Sequence, residues 1–160
     1  MTVVDPAAPV LPLYPRAGGI PAPISPSELL KSIIEQEIPS ELIPGGVAVG
    51  PVSDSQIQSG CISIMDAGQP LHERDLPLVR VRSQIRCLAP PLAHVDRIAR
   101  AVYDRFDQRG RTVAVQRSTD EEYLIHSIAV TVGPSHHRDS DENFEALLFV
   151  EMLIGLDPVD

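Results

Sequence analysis

The chain has 160 residues, of which 43% are hydrophobic, and this suits one folded domain with an additional segment. The formal net charge is −9, and Lys31 is the only lysine among 13 basic residues. A negatively charged chain gains little by neutralising phosphates, so broad DNA binding is disfavoured. A channel along which DNA only passes is compatible with this charge.

The cysteines and the distribution of apolar residues bear on the compartment. Cys61 and Cys87 both fall in predicted strands, which favours buried free thiols, and a disulfide between neighbouring strands stays open. No segment has the pattern of a signal peptide, and no run approaches the roughly 20 apolar residues that span a bilayer. We therefore expect a soluble protein made in a cytoplasm, without a membrane partner.

Residues 1–24 differ in composition from the rest of the chain. They contain six prolines and the pair Gly18-Gly19, which disfavours regular hydrogen-bonded structure. We predict an extended arm over residues 1–24, followed by one domain over residues 25–160. Apolar residues along the arm suggest that part of it lies on another surface, and a mobile tail is the alternative that stays open. These residues are Val3, Val4, Val10, Leu11, Leu13, Tyr14 and Ile20.

A capping-box pattern opens the domain at residues 25–28, where Ser-Pro-Ser-Glu precedes an apolar stripe. The stripe predicts a short amphipathic helix that runs to about Glu37. A short β-type segment follows at residues 47–50. A polar loop at residues 53–60 then precedes a strand at residues 61–65.

Residues 78–110 form the unit around which the other segments can be arranged. Residues 78–88 alternate between apolar and polar side chains, which predicts a half-buried strand. Two prolines break this strand. From Leu92 onward apolar residues recur every three or four positions, which predicts an amphipathic helix that closes at Gly110.

Alternation predicts three further strands, at residues 111–117, 123–132 and 143–154. In the middle strand, His126 shares a face with the apolar residues Leu124, Ile128, Val130 and Val132. Residues 133–142 are too polar and too long for a tight hairpin, which predicts a projecting loop. The second face of the last strand carries Leu147, Phe149 and Leu153 among acids, so we expect something to cover it.

The predicted order is a helix, two strands, a second helix and three strands. Consecutive strands joined by turns favour antiparallel pairing, and amphipathic helices must bury their stripes against a sheet. We therefore expect an α+β fold with a mostly antiparallel, possibly mixed, sheet of about five strands and two helices packed on one face.

Possible metal ligands crowd together only at residues 136–139, His-His-Arg-Asp. Neighbouring residues of an extended loop point apart, whereas a stable transition-metal site needs three or four converging ligands. His126 fits a core histidine or one at a subunit seam better than it fits a catalytic base. No glycine-rich phosphate loop follows a strand and no GxSxG turn occurs, so we expect no catalysis, no cofactor and no metal site.

Arg80, Arg82 and Arg86 form the basic stripe of the sequence, on one face of the strand predicted at residues 78–88. Two interpretations stay open. The arginines pair with acids of the same chain, or they pair with acids of an identical neighbour.

Four segments carry a family resemblance. They are CISIMDAGQP at residues 61–70, LPLVRVRSQIR at residues 76–86, LAHVDRIARAVYDRF at residues 92–106 and GPSHHRDSDENFEALLFVEMLI at residues 133–154. Together, over about residues 27–155, they resemble the minor capsid and tail terminator proteins, small neck components of long-tailed bacteriophages.

The resemblance implies a structural virion protein of the phage neck, assembled in the host cytoplasm. Such a protein forms a homo-oligomeric ring, commonly a hexamer, at the head-proximal end of the tail tube. The ring stops tube growth and joins the tail to the head connector. Its partners would be copies of itself, the tail tube protein and the neck proteins, while DNA passes through the lumen without specific binding.

A ring of identical subunits has a head-to-tail interface, which needs two different complementary patches on each subunit. The candidates are the basic stripe of Arg80, Arg82 and Arg86 and an acidic region with Glu145 and Glu151. The loop residues His136, His137, Arg138 and Asp139, together with the arm, are candidates for contacting the tube or the connector.

Three alternatives stay open. The nearest is another head–tail joining protein of the neck. A small metal-dependent enzyme or ligand-binding domain would use His126, His136 and His137. A DNA-binding module would use the arginine stripe, although the charge balance disfavours it.

Overall fold

The computed structural model describes residues 26–68, 70–72, 78–106, 113–116, 122–138 and 143–159. The predicted arm over residues 1–24, Gly110 and Asp139 lie outside the described residues. In chain order the elements are α1 (Pro26–Glu37), β1 (Val47–Val49), α2 (Asp54–Ser59), β2 (Cys61–Asp66), β3 (Leu71–His72), β4 (Leu78–Ala89), α3 (Leu92–Phe106), β5 (Val113–Gln116), β6 (Glu122–Arg138) and β7 (Phe144–Val159). None of the described helices is long and apolar enough to cross a membrane.

The seven described strands form one sheet in the order β1-β2-β4-β7-β6-β5, and β3 pairs with β4 beside β2. All neighbours are antiparallel except β1 and β2, which are parallel. Two of the strands, β1 and β3, have only three and two residues. The predicted α+β fold with a mostly antiparallel sheet of about five strands is therefore confirmed, with two short strands added.

Alternate residues of β4 and β7 form the sheet side of the core. The register sets Val81 opposite Met152 and Ile85 opposite Leu148, so paired apolar side chains point to one face. α1 and α3 lay their apolar stripes on this face, and burial of one such aliphatic side chain contributes roughly 1.5–3 kcal/mol. The buried hydrophobic residues of the two helices are Leu29, Leu30, Ile33 and Ile34 of α1 and Val95, Ile98, Ala99, Val102 and Phe106 of α3.

A third helix, α2, stands where the sequence predicted a polar loop, so that part of the prediction is wrong. Ser53 caps the helix, because its hydroxyl accepts a hydrogen bond from the backbone N–H of Gln56. The Gln56 side chain in turn accepts from the backbone N–H of Ser53 at 2.9 Å. This is a reciprocal capping box, and it stabilises a helix start without any apolar stripe.

The regular alternation predicted for the middle strand fails in β6. Ile125 and Ile128 are both buried, although they are three residues apart, and His126 between them is exposed. The register with β7 shifts at several steps of β6, and each shift changes which residues face the core. The placement of His126 in an apolar row is therefore wrong.

The predicted projecting loop is also wrong for residues 133–138, because β6 continues to Arg138. These residues pair with the start of β7, with Ser135 opposite Leu147 and Arg138 opposite Phe144. Pro134 falls within an irregular step of the register, where the proline's lack of an N–H removes no regular ladder bond. Pairing with a long partner strand therefore overrides the polar composition of this stretch.

The two cysteines are free and buried, as predicted. Ile62 pairs with Cys87 and Cys61 pairs with Leu88, so the two cysteine side chains point to opposite faces of the sheet. This arrangement explains why neighbouring strands place the thiols near each other without a disulfide.

Gly60, directly after α2, makes a close approach that no other residue type allows. Its φ of 88° lies in the left-handed region, and a Cβ built on it would overlap the imidazole of His94. The same imidazole forms a 2.7 Å hydrogen bond between Nε2 and the carbonyl oxygen of Leu42. Gly60 and His94 thus join the β2 end of the sheet to the start of α3.

We expect Gly60→Ala to lower the free energy of unfolding by about 2–4 kcal/mol, because backbone strain and overpacking against His94 add. Gly68→Ala is the matched control, since its φ is 100° and nothing lies within 4 Å of the added methyl. The control should lose only about 1 kcal/mol, the cost of the strain alone. Urea unfolding measures both, and equal losses would contradict the packing against His94.

Candidate interaction surface

We call the sheet face that points away from α1 and α3 the outer face. On β4 it carries Arg80, Arg82, Gln84 and Arg86, and on β7 it carries Glu145, Leu147, Phe149, Glu151 and Leu153. The register sets these two rows side by side, with Arg82 opposite Glu151 and Arg86 opposite Leu147. The outer face therefore combines charged and apolar side chains on two long neighbouring strands.

One end of the outer face is buried. Ser63 donates a 2.6 Å hydrogen bond to the carbonyl oxygen of Gly50, and Cys61, Ser63 and Leu88 are almost fully buried there. Burial raises the pKa of the Cys61 thiol from 9.0 to about 11, against a smaller lowering by Arg86. Burial likewise raises the pKa of Cys87 on the core face. Both thiols therefore stay protonated at neutral pH.

Ion pairs cross the outer face between β4 and β7. Arg86 donates from Nε at 3.1 Å and from an Nη at 2.6 Å to one carboxylate oxygen of Glu145. Arg80 contacts Glu151 at 2.7 Å, and Arg82 contacts the other oxygen of Glu151 at 3.5 Å. Glu145 is thus paired with one arginine of β4, and Glu151 with two.

These contacts bear on the two interpretations of the arginine stripe. The structure contains the intramolecular pairing, with both acids and all three arginines on one surface of the same chain. Arg86 and Glu145 are the most shielded pair, because the Glu145 side chain is only 14% exposed. Exposed pairs such as Arg82 with Glu151 contribute little to stability. The basic stripe and the acids are one mixed patch rather than two separate patches.

Apolar side chains lie between and beside the ion pairs. Leu147, Phe149 and Leu153 are partly buried on β7, while Val132 on β6 is 51% exposed and Met65 on β2 is 45% exposed. A hollow of about 470 Å³ opens on this part of the sheet. It is lined by Ala67, Arg82, Thr131, Val132 and Phe149. The second face of β7, for which the sequence predicts a cover, therefore contains a hollow.

The far end of the hairpin formed by β6 and β7 is a second surface, which we call the hairpin end. All residues from 131 to 138 are exposed. His136 Nε2 lies 3.5 Å from a carboxylate oxygen of Asp96 on α3, which is an ion pair when the imidazole is protonated. The guanidinium of Arg138 lies 4.7 Å from the centre of the Phe144 ring, a cation–π geometry. The predicted contact residues His136, His137 and Arg138 therefore lie on a paired strand and not on a loop.

The structure does not bring the histidines together. The register pairs His136 with Ala146 and His137 with Glu145, so the two imidazoles point to opposite faces of the sheet. His137 forms a 2.9 Å hydrogen bond with the hydroxyl of Ser135 instead. Within the part of the chain that the structure describes, no group of three or more His, Cys, Asp or Glu side chains is arranged to hold a metal ion.

Several residues of the outer face were not identified from the sequence. The alternation places Val132 in the same row as Ile128 and Val130, and Ala67 and Thr131 carry no chemical signal in the sequence. The shift of register between Val130 and Val132 places Val132 opposite Phe149, on the outer face. Such a shift depends on pairing with a distant strand, so local alternation does not reveal it.

No protein-family model matches the sequence, and no curated protein matches it significantly.

We expect the pair of Arg86 and Glu145 to show a coupling free energy of about 1 kcal/mol in a double-mutant cycle with alanine at each position. The matched cycle at Arg82 and Glu151 should give less than about 0.5 kcal/mol, because Arg82 is 55% exposed and the contact is longer. Urea unfolding at low and high salt measures both cycles. A larger coupling at Arg82 would contradict the ranking by burial.

Both cysteines should react slowly with alkylating reagents in the folded chain. At pH 8 a rise in the pKa from 9.0 to about 11 lowers the thiolate fraction of Cys61 by about 100-fold, and only thiolate reacts. Because the folded chain holds the Cys61 proton more tightly than the unfolded chain does, the protonated thiol contributes fully to stability below pH 9. This contribution is lost as the pH rises through about 11. Alkylation followed by peptide mapping, with and without urea, tests this. Rapid native labelling of Cys61 would contradict its burial.

Proposed function

We propose that this chain is a structural subunit of a bacteriophage virion, a ring-forming tail terminator of the neck. In this proposal the ring, commonly a hexamer, assembles at the head-proximal end of the tail tube, stops tube growth and joins the tail to the head connector. DNA passes through its lumen without specific binding, in keeping with the net charge of −9. The chain performs no catalysis and holds no cofactor.

The observation that supports this proposal best is the exposed hairpin end. A paired strand that presents eight consecutive exposed residues is preorganised, because the ladder with β7 holds its backbone in place before any partner binds. His136, His137 and Arg138 lie within it, and they are the side chains for which we propose contact with the tube or the connector. Asp139, which follows them, is proposed as part of the same contact.

The outer face supports the proposal in a second way. A terminator subunit needs one surface for its neighbours in the ring and another for the tube or connector, and the outer face along β4 and β7 and the end of β6 at residues 136–138 could serve these two contacts. We assign the subunit seam to the outer face around Arg80, Arg82, Arg86, Glu145 and Glu151. In the seam these residues would exchange some of their intramolecular partners for those of a neighbour, which preserves the charge balance of the contact.

Addition of the purified chain to growing tail tubes tests the proposal. We expect the tubes to stop elongating once the chain is bound, and light scattering at high protein concentration should detect a closed oligomer. Electron microscopy of labelled tails distinguishes a terminator at the tube end from another joining protein of the neck. A chain that remains a monomer and leaves tube length unchanged would contradict the proposal.

The hairpin end gives a sharper test. We expect His137→Glu to weaken binding to tubes or connector by about tenfold, because one unfavourable contact of about 1.4 kcal/mol changes affinity by that factor. His126→Glu is the matched control, since His126 is also exposed on β6 but lies outside the hairpin end. Sedimentation with tubes measures both variants. Equal binding by the two variants would place the contact elsewhere.

A further inference from the structure

The hollow on the outer face has the chemistry of a docking site for an extended apolar segment. Phe149, Val132 and the aliphatic part of Thr131 line it, and Arg82 stands at its rim with its charge directed to Glu151. Since the nearby carboxylates already have arginine partners, a bound segment needs no charge of its own. An apolar and uncharged occupant fits this surface best.

Residues 1–24 of this chain have that composition. They include only two charged residues, Asp5 and Arg16, in a chain that is 22% charged. Their six prolines cannot donate backbone hydrogen bonds, so this segment is unsuited to extend the sheet at an edge strand. A proline-rich segment can still lie across a sheet face through its side chains, because an extended proline-rich backbone needs no ladder partner.

The point where residues 1–24 join the described chain is tied to the strand end that borders the hollow, although α1 itself packs on the opposite face of the sheet. Ser27, in the first turn of α1, donates a 2.5 Å hydrogen bond to a carboxylate oxygen of Asp66. The next residue, Ala67, lines the hollow, and its backbone N–H donates to the carbonyl oxygen of Arg82 at 2.9 Å. The start of α1 is thus held within one residue of the hollow's wall.

The segment before α1 is long enough for residues 10–14 to reach the hollow. An extended proline-rich chain advances about 3.1 Å per residue, so the 12 residues from Tyr14 to Ser25 reach roughly 37 Å, which covers the passage around the sheet edge. The hollow involves β4, β7 and β6, which span only about 10 Å across the sheet. Residues 10–14, Val-Leu-Pro-Leu-Tyr, lie within the uncharged and glycine-free stretch of residues 6–15 and include Tyr14, the only aromatic residue in residues 1–24.

We propose that residues 10–14 of the same chain dock in the hollow of the outer face in the isolated protein. The tether at Ser27 keeps their local concentration in the millimolar range, which favours the chain's own segment over that of a second copy. Leu13 and Tyr14 supply apolar area against Phe149 and Val132. The inference concerns the isolated chain, so it stands or fails separately from a role in the phage neck.

Trypsin provides a probe within the native sequence, because Arg16 is the only basic residue of the segment. We expect Val132→Asp to accelerate cleavage after Arg16 by about tenfold, since cleavage follows the population in which the segment is released. Val49→Asp is the matched control, because Val49 is 40% exposed on β1, remote from the hollow-lining residues in the strand order. It should leave the cleavage rate unchanged. Mass spectrometry of released residues 1–16 measures the rate.

Cross-linking identifies the occupant. In the full-length variant Leu13→Cys with Val132→Cys, we expect oxidation of dilute protein to give an intrachain disulfide, so that trypsin releases residues 1–16 only after reduction. The pair Leu13→Cys with Val49→Cys is the control and should not cross-link. Disulfide-linked dimers would overturn the proposal in favour of a second copy's segment. The absence of a cross-link, together with equal cleavage rates in Val132→Asp and Val49→Asp, would overturn docking altogether.

Discussion

The long antiparallel ladder between β4 and β7 is the constraint on which the rest of the structure depends. It runs without interruption from Leu78 opposite Gly155 to Ala89 opposite Phe144. Because side chains alternate across a sheet, a single register assigns every residue of both strands to one of two faces. A slip by one residue would turn Ile85 and Leu148 outward and bury arginines under α3. The cost of unpaired buried charge makes such a slip prohibitive.

The same register decides what the outer face can do. It brings Arg80, Arg82 and Arg86 next to Glu145 and Glu151, although the two strands are separated in sequence by the whole of α3, β5 and β6. Both acids are thereby paired with arginines within the chain, and the part of the surface that remains to attract a partner is the apolar part around Phe149. A contact on this face therefore gains free energy from burial of area, while the ion pairs orient it.

Sequence patterns were sufficient where an element is long and its period is regular. β4 was predicted within one residue and the start of α3 at Leu92 was predicted correctly, because their apolar stripes are regular and prolines separate the two elements. The predicted end of the helix at Gly110 lies outside the described residues. α2 was missed because it has no buried residue; its signal is the Ser53 to Gln56 capping box, which a search for stripes does not detect. β6 was predicted as a strand, but its faces could not be predicted, since the buried positions of Ile125 and Ile128 depend on register shifts against β7. The acid partner of each arginine could not be predicted either, because it depends on pairing between two strands that are distant in sequence.

The outer face and the hairpin end differ in the kind of contact that they can make with a partner. On the outer face, positive and negative side chains neutralise each other at short range, so the face adds little to the long-range field of a chain that carries −9. The hairpin end instead carries Arg138 over the Phe144 ring, His136 near Asp96 of α3 and His137 hydrogen-bonded to Ser135. A partner at the hairpin end would be held by directional polar contacts with these exposed side chains. Contacts on the outer face would form only at close range, once shape and apolar area match. The two surfaces thus offer different kinds of contact, polar at the hairpin end and mainly apolar around Phe149 on the outer face.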